Sequence, residues 1–365
     1  MFESKGRLLD PSQETKHGLL VRKELEHELI GQPDVVSYYV RLIEKFRSNL
    51  FEADRPIGSA LYTGPTGSGK TFSAETFAET LQPRYDIHQR LDRSWRKNLM
   101  RIDCGEFQHS HEVAKLIGSP PGYLGHRETK PMLSGERIQA LQTAIIDYPF
   151  AIILFDEIEK ASDALWNILL AILDKASITL GTNEKVNLEN TVILMTSNAG
   201  FSNLKDGLGF APPSILLSEE TKRIGIEAAK RKFSVEFINR LDEVVAFNAL
   251  SREQIAMILK LELGKLQKEI FIKAVPKTLF TVTPAGQAQL LKSGYDVKYN
   301  ARNIKRTIDR ELRLPMARLL GSGQVMSDEG VLIDYLDGQY TFRALPQTNT
   351  NFVLHGGPID MGDLL

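Results

Sequence analysis

The chain has 365 residues, of which 42% are hydrophobic and 25% are charged, and its formal net charge is −1. These values are ordinary for a globular protein of two domains, and the near-zero charge argues against a protein drawn by its overall field to nucleic acid or an anionic membrane. The longest apolar run, FAIILF, is far too short to cross a bilayer, and the first residues lack the apolar core of a signal peptide. The single cysteine, Cys104, cannot form an internal disulfide. We therefore expect a cytoplasmic protein, with Cys104 as a small buried residue.

Short apolar runs alternate with helical patterns from about Leu29 to Phe247. Runs that are apolar throughout are typical of strands in a parallel sheet covered by helices on both faces. Between them, KTFSAETFAETL and ASDALWNILLAILDKA repeat apolar residues at helical spacing. The pattern predicts a doubly wound α/β domain. Its predicted strands are SALYT (59–63), LMRID (99–103), AIILFDE (151–157), TVILMTS (191–197) and EVVAF (243–247).

The pattern changes after Leu250. Ser251 and Gln254 form a capping box, and a long helical pattern follows them. The segment ARNIKRTIDREL repeats apolar residues every four positions until Pro315, which we expect to interrupt the helix. Two strand-like runs, GVLIDYL and QYTFRAL, come last. The expected division is an N-terminal arm (1–28), the α/β domain (29–248), a smaller, mostly helical domain (249–345) and a tail (346–365).

One motif in the α/β domain has a strong chemical signature. The run GPTGSGKT follows a predicted strand, opens a predicted helix and satisfies the phosphate-loop pattern G-x-x-x-x-G-K-[ST]. Its glycines let backbone N–H groups surround phosphate oxygens, its lysine neutralises the β- and γ-phosphates, and its last hydroxyl ligates Mg²⁺. The sequence therefore predicts ATP and Mg²⁺ as cofactors. The candidate binding residues are Gly64, Pro65, Thr66, Gly67, Ser68, Gly69, Lys70 and Thr71.

Two further strands end in polar residues suited to the same chemistry. The run AIILFDE ends in Asp156 and Glu157, and parallel strands present such residues at the carboxyl edge of the sheet, beside the phosphate loop. There one carboxylate can orient Mg²⁺ and the other can polarise an attacking water. The run TVILMTSN brings Asn198 to the same edge, where its amide could align that water, although an asparagine after a strand is more often a turn residue.

Several segments, in this order, resemble the Clp-type AAA+ protein unfoldases, above all the second ATPase module of ClpB and ClpC, here in a single-module form. The resemblance spans residues 29–320, most of the chain. Its segments are IGQ (30–32), RPIGSALYTGPTGSGKT (55–71), GSPPGYLG (118–125), ILFDEIEKA (153–161), NTVILMTSNAG (190–200), FINRLDEVVAF (237–247) and YNARNIKR (299–306).

Within the α/β domain the resemblance implies roles at both ends of the nucleotide. Leu29 and Ile30 would line the adenine pocket. Asp156 would hold Mg²⁺ together with the phosphate-loop hydroxyl. Glu157 would activate the attacking water, and Asn198 would be the first sensor of the nucleotide.

The resemblance implies roles for two arginines, one toward a neighbouring subunit and one between the two domains. Arg240 resembles the arginine finger, which reaches the nucleotide of the neighbouring subunit, so hydrolysis would require a homo-oligomeric ring, expected to be a hexamer. Arg302 resembles the second sensor, which would carry the state of the γ-phosphate to the small domain. The family's usual tripeptide there is Gly-Ala-Arg, and Asn300 departs from it. Without the surrounding motifs, either arginine would be interpreted as part of a surface salt bridge.

The segment SPPGYLGH resembles the pore loop of these unfoldases. Tyr123 would project into the central channel with Leu124 beside it, and the two would grip an unfolded or aggregated polypeptide substrate. An aromatic ring suits this task because it makes apolar contact whatever the substrate sequence. The alternative is a buried tyrosine in a rigid turn. A further departure is His126, where the family commonly has another aromatic residue.

Other segments leave alternatives open. Leu208, Gly209 and Phe210 stand where relatives carry a docking tripeptide for a ClpP-like peptidase; the alternative is packing onto their own domain. The basic stretch 84–101 is interpreted first as a solvated surface segment, and the alternative is a binding patch for nucleic acid; the insertion 82–98 could serve an adaptor or a subunit contact. We therefore expect an ATP-dependent unfoldase, disaggregase or complex-remodelling factor, and the alternative is an AAA+ nucleic-acid motor or loader. A scaffold without turnover is disfavoured because the residues for water activation are intact.

Overall fold

A five-stranded parallel sheet lies at the centre of the first domain in the computed structural model, which describes residues 9–82, 98–119, 130–199, 219–295 and 301–347. The strand order is β2-β3-β6-β1-β7, and a separate antiparallel pair is formed by β4 and β5. All five strands predicted from apolar runs are confirmed. The strands of this domain, including the separate pair, are β1 (Gly58–Thr63), β2 (Leu99–Asp103), β3 (Ala151–Asp156), β4 (Ser177–Thr179), β5 (Lys185–Asn187), β6 (Thr191–Ser197) and β7 (Glu243–Ala246).

Helices cover both faces of this sheet, which explains why every residue of β1, β3 and β6 is buried. One core cluster joins α1, α2 and α3 to the sheet, and the other joins α6 and its neighbours to the opposite face. The helices are α1 (Lys16–Glu28), α2 (Pro33–Arg47), α3 (Lys70–Thr80), α4 (Ala114–Ile117), α5 (Gly135–Gln142), α6 (Asp163–Lys175), α7 (Glu219–Lys232) and α8 (Val235–Arg240).

The second domain combines helices with a three-stranded sheet of order β10-β9-β8 around its own hydrophobic core. The predicted capping box is confirmed, because Ser251 Oγ accepts from the Gln254 N–H at 3.2 Å and Gln254 Oε1 accepts from the Ser251 N–H at 2.9 Å. The elements are α9 (Arg252–Lys273), β8 (Phe280–Val282), α10 (Pro284–Gly294), α11 (Ala301–Ile308), α12 (Leu314–Gly321), β9 (Glu329–Leu336) and β10 (Gln339–Pro346).

The expectation that Pro315 interrupts the last long helix is wrong. A π-helical turn (Asp309–Arg313) follows α11, and α12 begins directly after it, with Pro315 in its first turn. The Leu314 N–H bonds to the Asp309 carbonyl, five residues back, so a π-helical turn widens the helix just before the proline, which has no N–H to donate. The chain therefore continues in helical form past the proline to Gly321.

The two ends of the chain are more ordered in places than an arm and a tail suggest. Helix α1 lies within the expected arm and packs against α2 and α3. At the other end, β10 extends to Pro346, and the Gln347 N–H donates to the Asp328 carbonyl at 2.7 Å. Among the helices that the structure describes, none combines the length and the apolar character needed to cross a membrane.

Candidate nucleotide site

A cleft of about 530 Å³ opens at the carboxyl edge of the large sheet, and the second domain forms its opposite wall. The residues that follow β1, β3 and β6 meet in this cleft, as the expected parallel topology requires. The predicted site residues that line it are Leu29, Ile30, Thr66, Gly67, Ser68, Gly69, Lys70, Thr71, Asp156, Glu157, Asn198 and Arg302.

The phosphate loop runs from β1 into α3, and glycine makes its path possible. Gly67 and Gly69 have φ values of +79° and +101°, a region that residues with a Cβ atom rarely adopt. Gly69 is also the N-cap residue of α3. The first turn of that helix, with its unpaired N–H groups, therefore borders the cleft at a place that favours an anion.

Lys70 is held inside this loop. Its Nζ donates hydrogen bonds to the carbonyls of Gly64, at 2.7 Å, and Pro65, at 2.9 Å, and the residue is only 7% exposed. Burial lowers the pKa of Lys70 to about 8, and three nearby carboxylates oppose that shift. An anionic ligand beside Lys70 would favour its charged form.

Asp156 receives hydrogen bonds from three side chains. The Thr71 hydroxyl lies 3.0 Å from Oδ1, Arg101 Nη2 lies 2.6 Å from Oδ2, and the Thr196 hydroxyl donates to Oδ1. Mg²⁺ is usually bound by one or two protein oxygens in addition to phosphate and water. The adjacent hydroxyl of Thr71 and carboxylate of Asp156 therefore fit a magnesium site.

Glu157 and Asn198 follow the ends of two adjacent strands. Glu157 has φ +57° and ψ +50°, a left-handed conformation that costs a non-glycine residue about 1–2 kcal/mol. Its N–H donates to Thr196 Oγ1 at 2.9 Å, and its carboxylate forms an ion pair with Lys160. The Asn198 backbone N–H donates to Glu159 Oε1 at 3.0 Å. The strand ends thus bring together the two residues predicted to act on the attacking water.

The two predicted arginines lie in different places. Arg302, on α11, is exposed and lines the cleft from the second domain. Arg240, at the end of α8, donates to the Leu170 carbonyl at 3.0 Å and to Glu236 Oε1 at 2.7 Å. It is not among the described residues that line the cleft. The structure therefore brings one of the two arginines to the site of its own chain.

Two family models match the chain, one for each domain. The model described as the AAA domain (Cdc48 subfamily) matches residues 55–244, and the one described as the C-terminal, D2-small domain of ClpB protein matches residues 250–333. The chain belongs to the AAA family. The order of the two matches confirms the AAA fold expected from the resemblance, a parallel α/β domain followed by a smaller one.

Relatives of this AAA chain carry the name ClpB. The chain is 35% identical over 332 residues to chaperone protein ClpB 2 of Thermosynechococcus vestitus, and 36% identical over 329 residues to ClpB of Meiothermus ruber. These alignments cover 91% and 90% of the chain but only 34% and 35% of the relatives, so the chain spans about a third of their length. The resemblance to Clp-type proteins is confirmed.

A solved structure has a similar fold. It is a closed-state cryo-EM reconstruction of Hsp104 with ATPγS and FITC casein, and it matches with a TM-score of 0.70 and 25% identity. The match covers 92% of this chain and 53% of that chain.

Sequence reasoning misses three residues of this AAA site. Gln32 donates from Nε2 to the Ser68 carbonyl at 3.2 Å and to the Asn248 carbonyl at 3.0 Å, which ties the phosphate loop to the junction of the two domains. Arg101 and Thr196 both contact Asp156. Gln32 and Thr196 stand in family-like segments, which is a usable signal, whereas Arg101 lies outside them and its contact depends on which strands are neighbours.

Several predicted residues lie outside the part of the chain that the structure describes. They include the pore-loop pair Tyr123 and Leu124, and the tripeptide Leu208, Gly209 and Phe210. Of the basic residues between positions 84 and 101, Arg101 is the only one described, and it pairs with Asp156 in the cleft.

Proposed function

We propose that this AAA chain binds ATP with Mg²⁺ in the cleft and hydrolyses it. The observation that carries the proposal is the meeting of Lys70, the Thr71–Asp156 pair, Glu157 and Asn198 at one sheet edge. When bound, Mg²⁺ would neutralise phosphate charge and hold the phosphates in place. Thr71 and Asp156 would hold that ion.

The remaining residues divide the work on the phosphates and the water. Lys70, already confined to the loop by two carbonyls, would turn its charge toward the β- and γ-phosphates. Glu157 would accept a proton from the attacking water, and Asn198 would orient that water. Leu29 and Ile30, which line the same cleft, would contact the adenine.

We further propose that Arg240 completes the site of a neighbouring subunit in a homo-oligomeric ring. Its position supports this, because Arg240 is away from its own cleft and its side chain is partly exposed. A guanidinium supplied in trans stabilises charge on the transferring phosphoryl group, an effect on the order of 10³–10⁵ in rate. Arg302, which lines the cleft from the second domain, would contact the γ-phosphate within the same chain.

We propose that the chain uses the free energy of ATP hydrolysis to unfold protein. Two observations support it: the relatives are named chaperones, and the similar Hsp104 structure was determined with FITC casein. In this proposal Tyr123 and Leu124 grip an unfolded polypeptide and a hexameric ring threads it. A nucleic-acid motor lacks such support, since Arg101, the one basic residue of that stretch that the structure describes, is paired with Asp156. An adaptor and a ClpP-like peptidase at Leu208–Phe210 stay predictions.

The experiment that tests this proposal is an ATPase assay with and without an unfolded model protein. The wild-type rate should rise when the unfolded protein is added. Tyr123→Ala should lose that stimulation, and Tyr123→Phe, which keeps the ring, should retain it. Stimulation by DNA and none by polypeptide would contradict the proposal and favour the nucleic-acid motor.

A further inference from the structure

The ends of β3 and β6 are joined by more than the sheet's backbone ladder. The ladder between these strands runs to the pair Phe155 and Met195. Beyond that pair the two strands pair with their other neighbours, Asp156 with Asp103, and Thr196 and Ser197 with Tyr62 and Thr63. The candidate carboxylates and the candidate sensor thus lie just beyond the last rung, where the relative position of the two strand ends needs another constraint.

Thr196 supplies one such constraint from β6. The Glu157 N–H can only donate, so Thr196 Oγ1 accepts from it, at 2.9 Å, and directs its own proton to Asp156 Oδ1. Thr196 is 1% exposed, so water does not substitute readily for either bond. One buried hydroxyl therefore holds both the carboxylate of Asp156 and the backbone of Glu157, whose left-handed conformation takes its N–H out of the ladder.

Glu159 supplies a second constraint in the opposite direction. It lies in the 3₁₀ turn (Ile158–Lys160) after β3, and its Oε1 accepts from the Asn198 N–H at 3.0 Å. Its other oxygen, Oε2, is buried and accepts no hydrogen bond from the described residues. Within the described residues, the Asn198 N–H is therefore the hydrogen-bond donor to the Glu159 carboxylate.

We propose that Thr196 and Glu159 are positioning residues for hydrolysis: Thr196 orients Asp156 and Glu157, and Glu159 orients Asn198. The inference rests on the proposed ATPase function and extends it to two residues that act through others. Because the two contact different partners, their loss has different consequences. Thr196 contacts the Mg²⁺ ligand and the water-activating residue together, whereas the hydrogen bond that the described structure gives Glu159 is to the sensor.

The test at position 196 compares Thr196→Val, which keeps the shape, with Thr196→Ser, which keeps the hydroxyl. Loss of a hydrogen bond to a metal-binding carboxylate typically weakens metal affinity or activity by about 10-fold to 100-fold. Mg²⁺ is titrated while the affinity for fluorescent ADP is measured, and the Mg²⁺ concentration that gives half of the gain in affinity is recorded. In the valine variant we expect this concentration to rise about 10-fold to 100-fold and kcat to fall. ADP affinity without Mg²⁺ should stay within about twofold, and serine should restore both quantities.

The test at position 159 compares Glu159→Leu with Glu159→Gln, whose amide oxygen can still accept from Asn198. Leucine should lower kcat by about 10-fold or more without moving the Mg²⁺ half-saturation, and glutamine should recover most of the rate. If valine at 196 does not fold, Thr196→Ala, which also lacks the hydroxyl, replaces it, and we expect the same rise in the Mg²⁺ half-saturation and the same loss of kcat.

The outcomes separate this inference from the proposed function. A wild-type chain without ATP turnover would remove the proposed function itself. If the wild-type chain hydrolyses ATP, two results would overturn the positioning roles. One is that Thr196→Val behaves like Thr196→Ser. The other is that Glu159→Leu and Thr196→Val shift the Mg²⁺ dependence equally.

Discussion

The two walls of the nucleotide cleft are built in different ways. On the large-domain wall, Lys70, Asp156 and Thr196 are each at most 7% exposed and are held by hydrogen bonds to other buried groups. On the small-domain wall, Arg302 and Lys305 are exposed. Interactions between buried groups resist screening, whereas exposed charges are easily rearranged and screened by salt.

The attachment between the walls pairs exposed lysines with half-buried partners. Lys265 pairs with Glu28 at 2.6 Å, and the ammonium groups of Lys265 and Lys305 lie 5.2 Å and 4.8 Å from the centre of the Phe72 ring. Phe72 directly follows the phosphate-loop threonine on α3. The comparison teaches that the large-domain wall fixes the chemistry, while the small-domain wall is held by contacts that can adjust to the nucleotide.

The largest effect is expected on the buried wall, from Glu157→Gln. The amide keeps the shape but cannot accept the proton of the attacking water, so turnover should fall by about 10²- to 10⁴-fold while ATP affinity changes only a few-fold. Steady-state ATPase and equilibrium nucleotide binding measure the two quantities. Glu227→Gln, at an exposed position on α7, is the matched control and should behave as wild type. Turnover of Glu157→Gln within threefold of wild type would assign water activation to another residue.

A smaller effect is expected from the exposed wall, in Arg302→Gln. A charge-assisted hydrogen bond to phosphate contributes about 1.5–3 kcal/mol, so the preference for ATP over ADP should fall by about 10-fold to 100-fold. The free energy of unfolding without nucleotide should not change, since the side chain is exposed. Arg306→Gln, on the same helix and also exposed, is the control. If Arg306→Gln reduced the preference equally, general surface charge rather than the position of Arg302 would explain the effect.

The smallest effect is expected from the attachment, in Phe72→Leu. Each cation–π contact at an exposed site contributes about 0.5–1 kcal/mol, so removing the ring should lower the free energy of unfolding by about 1 kcal/mol. Thermal unfolding at low and high salt measures this change. Phe72→Tyr keeps an aromatic ring and should remain near wild type. Equal destabilisation by leucine and tyrosine would mean that Phe72 acts by packing alone.

The sequence predicts the strands and the phosphate loop of the buried wall more easily than the side-chain hydrogen bonds that join them. The strands and the phosphate loop have local signals, continuous apolar runs and a glycine-rich motif, and Cys104 was expected to be buried because it ends such a run. The structure confirms this: Cys104 is fully buried, and burial raises the pKa of its thiol.

The connections could not be derived because they depend on the order of the strands. Arg101 meets Asp156 only because β2 lies next to β3, and Thr196 meets it only because β6 lies on the other side. Arg101 belongs to no motif, and Thr196 lies in a family-like segment whose predicted functional residue is Asn198. The continuation of the helix past Pro315 could not be predicted either, because the π-helical turn before it has no sequence signature.

The central claim is that each site is completed by the Arg240 of a neighbouring chain, and mixing two inactive variants tests it most directly. Glu157→Gln lacks the water-activating carboxylate but keeps its arginine, and Arg240→Ala has the opposite defect. In a mixed ring, roughly a quarter of the sites should combine an intact carboxylate with a neighbour's intact arginine, for random assembly of equal amounts. The account predicts ATP turnover in the mixture well above the sum of the two variants alone. Turnover equal to that sum at every mixing ratio would contradict it.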